Sequence, residues 1–372
     1  MGRGSRAGAS TSLRVDPVDG LRHAPRVAAS GHFSIARVRR AWYVAATASA
    51  LGARPLASTI LDVPLVLFRD GEGVARALLD RCAHRNVPLS RGAVDGGRLT
   101  CGYHGWGFDG DGVCRVVPAL VGEALGKARR VPSYPTREAQ GLVFVWMDPE
   151  VEPTEAPYVV RGLGEPGYDD VRFDARLDAS LHMTAENVLD VPHTAFLHRG
   201  LFRGKGEPNR VRVELTRSAR SVEARYVGEP RPSGWIGQLL APGGGEIEHV
   251  DRFHLPCVTE VEYRLGAENH LVVTSLLTPI SDWVTHMYAI TAFKLRVPHA
   301  AVKPIALRLG RRVVEQDIEM LRAQVESVRR FDGERYVSTD VDVLGPHIWH
   351  LLKLAERGEQ AEPHVASTEL LA

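Results

Sequence analysis

The sequence predicts an α+β protein in which a small all-β domain precedes a larger domain of antiparallel strands packed with helices. Three observations lead to that class. Between about 40 and 150 the apolar runs are short and separated by turn chemistry. Beyond 210 they lengthen into candidate strands, and from 301 to 329 apolar residues recur at helical spacing instead. Strands and helices segregated in this way argue against an alternating parallel-sheet architecture. The 372 residues accommodate two domains of ordinary size, and a formal net charge of +1 gives no nucleic-acid footprint.

Residues 1–35 are rich in Gly, Arg, Ala and Ser without helical or strand period, which predicts a disordered tail. Within it, Gly2-Arg3-Gly4 lacks the preceding strand that a dinucleotide loop requires. Arg39-Arg40 ahead of the small residues 41–50 comes too late, and is too weakly apolar, for a signal peptide. Trp42-Tyr43-Val44-Ala45 reads as the first strand instead, and no run is long enough to span a bilayer. The runs 61–68, 75–79 and 142–146 have strand length, and Asp109-Gly110-Asp111-Gly112 marks a hairpin turn. The two aspartates are explained by that turn, since the other ligand positions of a calcium loop are missing.

Pro153, Pro157 and Pro166 among charged residues mark a crossing, which divides the chain into domains at 36–150 and 151–372. In the second, 210–227, 251–265, 270–278 and 286–297 read as antiparallel strands, and 181–191 and 301–329 as helices. Strands wrapped around a helix leave room for a cavity. Trp235, Phe253, Trp283, Tyr288 and Phe293 fall in its strands, where aromatics are more often core than pocket.

Two clusters carry the chemistry. The first is Cys82-Ala83-His84, then sixteen residues, then Cys101-Gly102-Tyr103-His104. Two thiolates and two imidazoles can close a zinc site or hold a Rieske-type [2Fe-2S] cluster, with the cysteines on one iron and the histidines on the other. Zinc fingers usually pair Cys with Cys and His with His. Here each pair is mixed and sits among Gly, Pro and Asn, so each loop tip offers one ligand to each iron; the cluster is favoured over zinc. The other cysteines are Cys114, which reads as a packed small side chain, and Cys257. No disulfide framework follows from this count, which fits a reducing cytoplasm.

The second cluster runs from Glu186 through Asn187, Asp190, Pro192 and His193 to His198. Histidines five apart on an unbroken helix point about 140° away from each other. Pro192 removes that obstacle, because proline disfavours helix at Val191 and lets both imidazoles turn inward. A non-haem iron that activates oxygen needs two histidines and one carboxylate on one face. Leu307, Val314, Ile318, Leu321, Val325 and Val328 define the buried stripe of the late helix, and Asp317 belongs to it; Glu315 and Glu319 fall on the opposite, charged face. A salt bridge to a buried arginine is the alternative for Asp317, as a helix-end position is for Asp190.

Cys-Ala-His-Arg and Cys-Gly-Tyr-His-Gly-Trp resemble the Rieske non-haem iron oxygenases, and Asn-x-x-Asp-x-x-His-x-x-x-x-His at 187–198 is similar to the mononuclear-iron pattern of that family. The resemblance covers about 40 to 330. It implies an all-β Rieske domain followed by a helix-grip catalytic domain with an antiparallel sheet. It further implies that Cys82, His84, Cys101 and His104 hold a [2Fe-2S] cluster and that His193, His198 and Asp317 bind Fe(II). Asn187 is placed near the iron and Asp190 between that iron and a cluster histidine of a neighbouring chain.

The implied function is a terminal oxygenase, fed by an NAD(P)H-dependent reductase with or without a ferredoxin. The chain resembles the shorter, homotrimeric monooxygenases and demethylases, which act with O2 on a cyclic or aromatic small molecule; ring dihydroxylation is the alternative. A different class, an electron carrier with a ligand-binding domain, has no use for a triad and would hold about two irons per chain instead of three. Respiratory Rieske proteins carry two further cysteines in the cluster loops and a serine two residues after the second histidine. This chain has Trp106 at that position and no such cysteines. Fewer hydrogen bonds to the cluster predict a potential toward the low end of the roughly −150 to +300 mV Rieske range.

Overall fold

The computed structural model describes residues 34–122, 124, 126, 129–198, 210–229, 247–265 and 269–371. The expected tail to residue 33 and Trp235 lie outside these. At residue 34 the chain is already fixed: the backbone N–H and hydroxyl of buried Ser34 both donate to the Glu334 carboxylate, at 2.9 and 2.6 Å.

Among the described residues the first half is built from strands and one short 3-10 turn at Leu89–Arg91; the strands are β1 (Trp42–Thr47), β2 (Leu56–Ile60), β3 (Val63–Arg69), β4 (Ala75–Leu79), β5 (Ala93–Asp95), β6 (Arg98–Thr100), β7 (Gly107–Phe108), β8 (Cys114–Val116), β9 (Ser133–Tyr134), β10 (Thr136–Ala139) and β11 (Leu142–Trp146). They form three small antiparallel sheets, ordered β1-β11-β10, β2-β3-β4-β9 and β5-β6-β7-β8. Asp109 closes the β7–β8 turn by accepting the N–H groups of Asp111 and Val113, at 3.1 and 2.8 Å, as the turn reading requires. Cys114 is fully buried and donates its thiol to the Val116 carbonyl.

Among the described residues the second half is one eight-stranded antiparallel sheet with three α-helices. Its elements are β12 (Asp169–Leu177), α1 (Leu181–Leu189), β13 (Arg210–Arg217), β14 (Ser221–Val227), β15 (Ile247–His254), β16 (Val258–Leu265), β17 (Asn269–Ser281), β18 (Val284–Lys294), α2 (His299–Arg330), α3 (Gly345–Glu356) and β19 (His364–Leu371). The strand order is β12-β18-β17-β16-β15-β14-β13-β19. The alternation of β13, buried at Val211, Val213 and Leu215 and exposed between them, is that of a sheet covered on one face.

Two runs read as single strands are hairpins. In 210–227 the turn is made by Ser218, whose hydroxyl accepts the N–H groups of Arg220 and Ser221 at 3.2 and 3.0 Å. In 251–265 the chain turns at Leu255-Pro256-Cys257. Serine-closed turns of this kind carry none of the glycine or asparagine that marks a hairpin in sequence. Phe253 and Phe293 are fully buried core residues, Tyr288 is buried, and Trp283 packs against the core.

The main hydrophobic core runs through both halves and joins Tyr43, Phe144 and Trp146 to Leu276, Leu277 and Met287. Along that seam Thr278 donates to the Val44 carbonyl at 2.8 Å, and Leu61 N–H to the Pro279 carbonyl at 2.7 Å. The cluster loops rest on a separate small core of Val66, Phe68, Leu78, Leu89, Leu99 and Phe108, to which Cys82 and Cys101 themselves belong.

Candidate metal centres

The two cluster loops are copies of one backbone shape. Cys82 N–H donates to the Val87 carbonyl at 2.9 Å and Asn86 N–H to the Cys82 carbonyl at 3.0 Å. In the second loop Cys101 N–H donates to Trp106 at 2.8 Å and Gly105 N–H to Cys101 at 3.0 Å. Asn86 and Gly105, equivalent in the two loops, both adopt the left-handed conformation, with φ of 62° and 71°. That geometry explains an Asn and a Gly at these positions.

The shared shape brings the four candidate ligands together. The rings of His84 and His104 lie 4.6 Å apart, and Trp106 stacks on His84 at 4.6 Å with 2° between the planes. Nδ1 of His84 is buried with no hydrogen-bond partner. Burial raises the Cys82 thiol above its usual range; amides of its own loop oppose this, and the adjacent Cys101 thiol adds to it. An orphaned imidazole nitrogen and two crowded thiols are what iron would compensate, so the donor set fits a [2Fe-2S] cluster. All four cysteines are free thiols.

In the second half α1 is capped by Ser180, which accepts the Met183 N–H at 3.2 Å, and it ends at Leu189. The break falls one residue before the expected place. Asp190 is extended, with φ −86° and ψ 98°, whereas Val191 keeps helical angles and starts a short 3-10 turn over Pro192–Ala195. Proline has no N–H to continue the helix, and the chain meets that loss by leaving the helix at Asp190. His193 and His198 are thereby turned to the same point.

His193 Nε2 and His198 Nε2 are 3.1 Å apart, and Asp317 Oδ1 lies 3.6 and 3.2 Å from them. An ion held at right angles by bonds of roughly 2.1 Å keeps its ligand atoms about 3 Å apart, so this spacing suits a metal. Among the described residues these three are the group that could hold a metal ion through His and carboxylate atoms. Asp317 is buried on α2 as the stripe predicts, and Glu315 and Glu319 are exposed. Burial opposes charge on His193, yet Asp190 and Asp317 push it up to about 9; burial likewise raises Asp317, and the two imidazoles bring it below its usual range. A metal ion at this point would have to displace the proton that the two carboxylates favour on His193.

The far sides of the ligands are also fixed. His193 Nδ1 donates to the Asp190 carbonyl, while the Asp190 carboxylate stands 3.5 Å away. Asn187 Nδ2 donates to Asp317 Oδ1 at 3.4 Å. His198 Nδ1 donates to Gln316 Oε1 at 2.9 Å, a partner that sequence reasoning missed although it adjoins Asp317. Deeper in the sheet His249 stacks between Tyr226 and Tyr263 and binds Glu229 and Asp251 through both nitrogens. Burial opposes its charge, but Asp251 and Glu229 push it up to about 10.

Comparison with known proteins agrees with this geometry. A family model described as Rieske [2Fe-2S] domain matches residues 41–135, and one described as vanillate O-demethylase oxygenase C-terminal domain matches residues 177–354. The oxygenase component of chloroacetanilide N-alkylformylase from Rhizorhabdus wittichii is 32% identical over 326 residues, covering 83% of this chain and 91% of the relative. The chain belongs to the Rieske [2Fe-2S] oxygenase family.

Another relative, the chloroplastic protein TIC 55 of Arabidopsis thaliana, is 31% identical over 73% of this chain and 50% of its own length. The chain thus spans about half the length of several curated relatives it matches. The crystal structure of dicamba monooxygenase bound to dicamba superposes with a TM-score of 0.72 at 25% identity, covering 87% of this chain and 98% of that one. As a Rieske protein without a cysteine pair or a serine beside the cluster, the chain is expected to titrate toward the low end of the roughly −150 to +300 mV range. A midpoint near the top of the range in a redox titration would overturn that expectation.

Proposed function

We propose that this chain is the terminal oxygenase component of a Rieske non-haem iron monooxygenase that hydroxylates, or O- or N-demethylates, a cyclic or aromatic small molecule. The observation that carries the reading is the triad: two imidazoles and a buried carboxylate whose ligand atoms lie within 3.6 Å, in a chain that also carries the Cys-His loops. An electron carrier has no use for it. The match to the vanillate O-demethylase oxygenase C-terminal domain supports the demethylase side of the reading.

In this reading Cys82, His84, Cys101 and His104 hold the [2Fe-2S] cluster, and His193, His198 and Asp317 hold Fe(II). When bound, the iron centres supply the electron storage and oxygen activation that side chains lack. The chain's own residues orient and insulate. Asp190 and Gln316 fix the two imidazoles through their Nδ1 atoms, and Asn187 holds the Asp317 carboxylate in place. Fe(II) held by these three side chains from one face would remain accessible to O2 and substrate.

Assembly as a homotrimer is part of the proposal. Tyr103, at the cluster tip, is 62% exposed, and Phe196, between the two iron-binding histidines, is 85% exposed. Large exposed apolar groups at the two centres suit a head-to-tail contact in which one chain's cluster meets the next chain's iron. A cytoplasmic location is proposed because none of the four cysteines is in a disulfide. No helix among the described residues is long and apolar enough to cross a membrane.

The test is to load the chain with iron, screen methoxylated and N-methylated ring compounds anaerobically for shifts in the Fe(II) spectrum, and then admit O2 with a reductase. A product of the expected mass, with formaldehyde where a methyl group leaves, supports the reading. Two irons per chain and no substrate-dependent O2 uptake sink it. Electrons are expected from another protein, because the sequence has no dinucleotide fingerprint placed between strand and helix. NADH alone should therefore give no sustained turnover, and many turnovers in a reductase-free preparation would refute this.

A further inference from the structure

Residues 81–108, which hold both cluster loops, carry four arginines and a single carboxylate, Asp95, in a chain whose formal net charge is only +1. Three of the four arginines stand at the loops themselves. Arg81 immediately precedes Cys82 and donates from Nε to Asn86 Oδ1 at 2.8 Å, so it is tied to the turn of the first loop. Arg85 directly follows His84. Arg91 ends the 3-10 turn Leu89–Arg91, and its backbone runs against the second loop: a Cβ on Gly102 would lie 3.0 Å from the Arg91 carbonyl oxygen.

All three residues are exposed, and among the described residues none of them meets a carboxylate. Elsewhere in the same half Arg37, Arg40, Arg69, Arg76 and Arg115 each have one within 3.2 Å. Asp80, the acid next to Arg81 in the chain, is already engaged. Its two oxygens accept the N–H and the hydroxyl of Ser90 at 2.7 and 2.6 Å, which fixes the turn that carries Arg91. Positive charge is thus left uncompensated around the one place where an electron can enter this half. A guanidinium is the side chain best suited to a carboxylate of a partner, and like charges gathered on one surface steer an oppositely charged protein toward it.

We propose that Arg81, Arg85 and Arg91 form the landing surface for an acidic one-electron carrier protein, which they draw onto the cluster loops through its carboxylates. This rests on the reading that the chain's electrons come from another protein. Three charges on separate segments suit a broad acidic surface, and their side of the loops is not the one assigned to the neighbouring chain: Tyr103, 62% exposed, belongs to the second loop, whereas Arg81 and Arg85 belong to the first. The step served is the transfer of one electron. The carrier's reduced centre loses it, the cluster gains it, and no bond is made or broken.

The experiment uses the full chain with its cluster loaded and needs no substrate. The probe is an acidic plant-type [2Fe-2S] ferredoxin, whose potential lies below the Rieske range, so that reduction of the cluster is downhill. Its rate, followed by rapid mixing, should fall about tenfold or more as salt rises from about 0.01 to about 0.15 M, while reduction by the neutral deazaflavin radical should not change. At low salt Arg85→Glu and Arg91→Glu should each slow reduction by ferredoxin, and weaken binding of redox-inert gallium-substituted ferredoxin, by about tenfold. Arg91→Lys should preserve both. So should Arg54→Glu, the same change of charge at an exposed arginine on the β1–β2 connection. The proposal is overturned if the wild-type rate ignores salt, if Arg91→Glu behaves like Arg54→Glu, or if Arg91→Lys is as slow as Arg91→Glu. The wild-type salt series decides even where a variant fails to load its cluster. Variants that alter the oligomeric state but not the ferredoxin rate give the surface to a second copy of the chain and overturn it as well. Fast reduction by ferredoxin that is blind to salt and charge leaves the external donor standing and removes this surface; sustained reduction by NADH alone removes both.

Discussion

Asp317→Ala is expected to yield a protein that keeps its cluster absorbance and loses the third iron. The substitution removes one of three ligand atoms from a point where Asp317 Oδ1 lies 3.2 Å from His198 and 3.6 Å from His193. It also strips Asn187 of its acceptor. Hydrogen-bond partners of metal ligands are alone worth about 10–100-fold in affinity or activity, so loss of a ligand should cost more than about 100-fold. The cluster loops rest on their own core and should not register the change. Iron analysis together with the visible spectrum checks this: about three irons per chain falling to about two. If the variant kept full iron and activity, the carboxylate role would pass to Glu315 or Glu319, although both face solvent.

Asp190→Asn should retain both metals and transfer electrons between them roughly 10–100-fold more slowly or worse. Metal retention follows from a detail of the site: His193 Nδ1 is held by the main-chain carbonyl of Asp190, which the substitution leaves in place. What changes is the carboxylate, which stands 3.5 Å off and is partly exposed, available to a histidine of a neighbouring cluster. An amide of the same shape has one acceptor oxygen and no charge. Rapid mixing of the reduced, substrate-bound protein with O2 gives the cluster reoxidation rate. An unchanged rate in a trimeric, fully metallated variant rules out the bridge.

The sequence revealed what is local and chemically unusual. The mixed Cys-His pairs, Pro192 between two histidines, and an aspartate inside an apolar helical stripe each stand out against ordinary composition, and the structure brings each set together. Features that depend on distant partners were not legible. Ser34 gives no sign that it binds Glu334, 300 residues away. Strand β19 and helix α3 are defined by pairing with β13 and packing on α1 rather than by their own pattern. The hairpins at 218–220 and 255–257 merged into single strands because serine and Leu-Pro-Cys turned the chain where glycine or asparagine would have been conspicuous. The break at Asp190 was displaced by one residue because the proline rule describes an average and the local hydrogen bonds decide.

The small core under the cluster loops has a bearing on how the protein ages. Ten buried residues, two of them the candidate thiolate ligands, form a unit separate from the core that joins the two halves. Oxidative loss of the cluster is then expected to be a local injury, confined to the loops and their own small core, that leaves the strands around Tyr43, Trp146 and Leu276 packed. Because the loops hold their shape by their own hydrogen bonds, iron and sulfide supplied to such a chain are expected to rebuild the cluster without renewed synthesis of the protein.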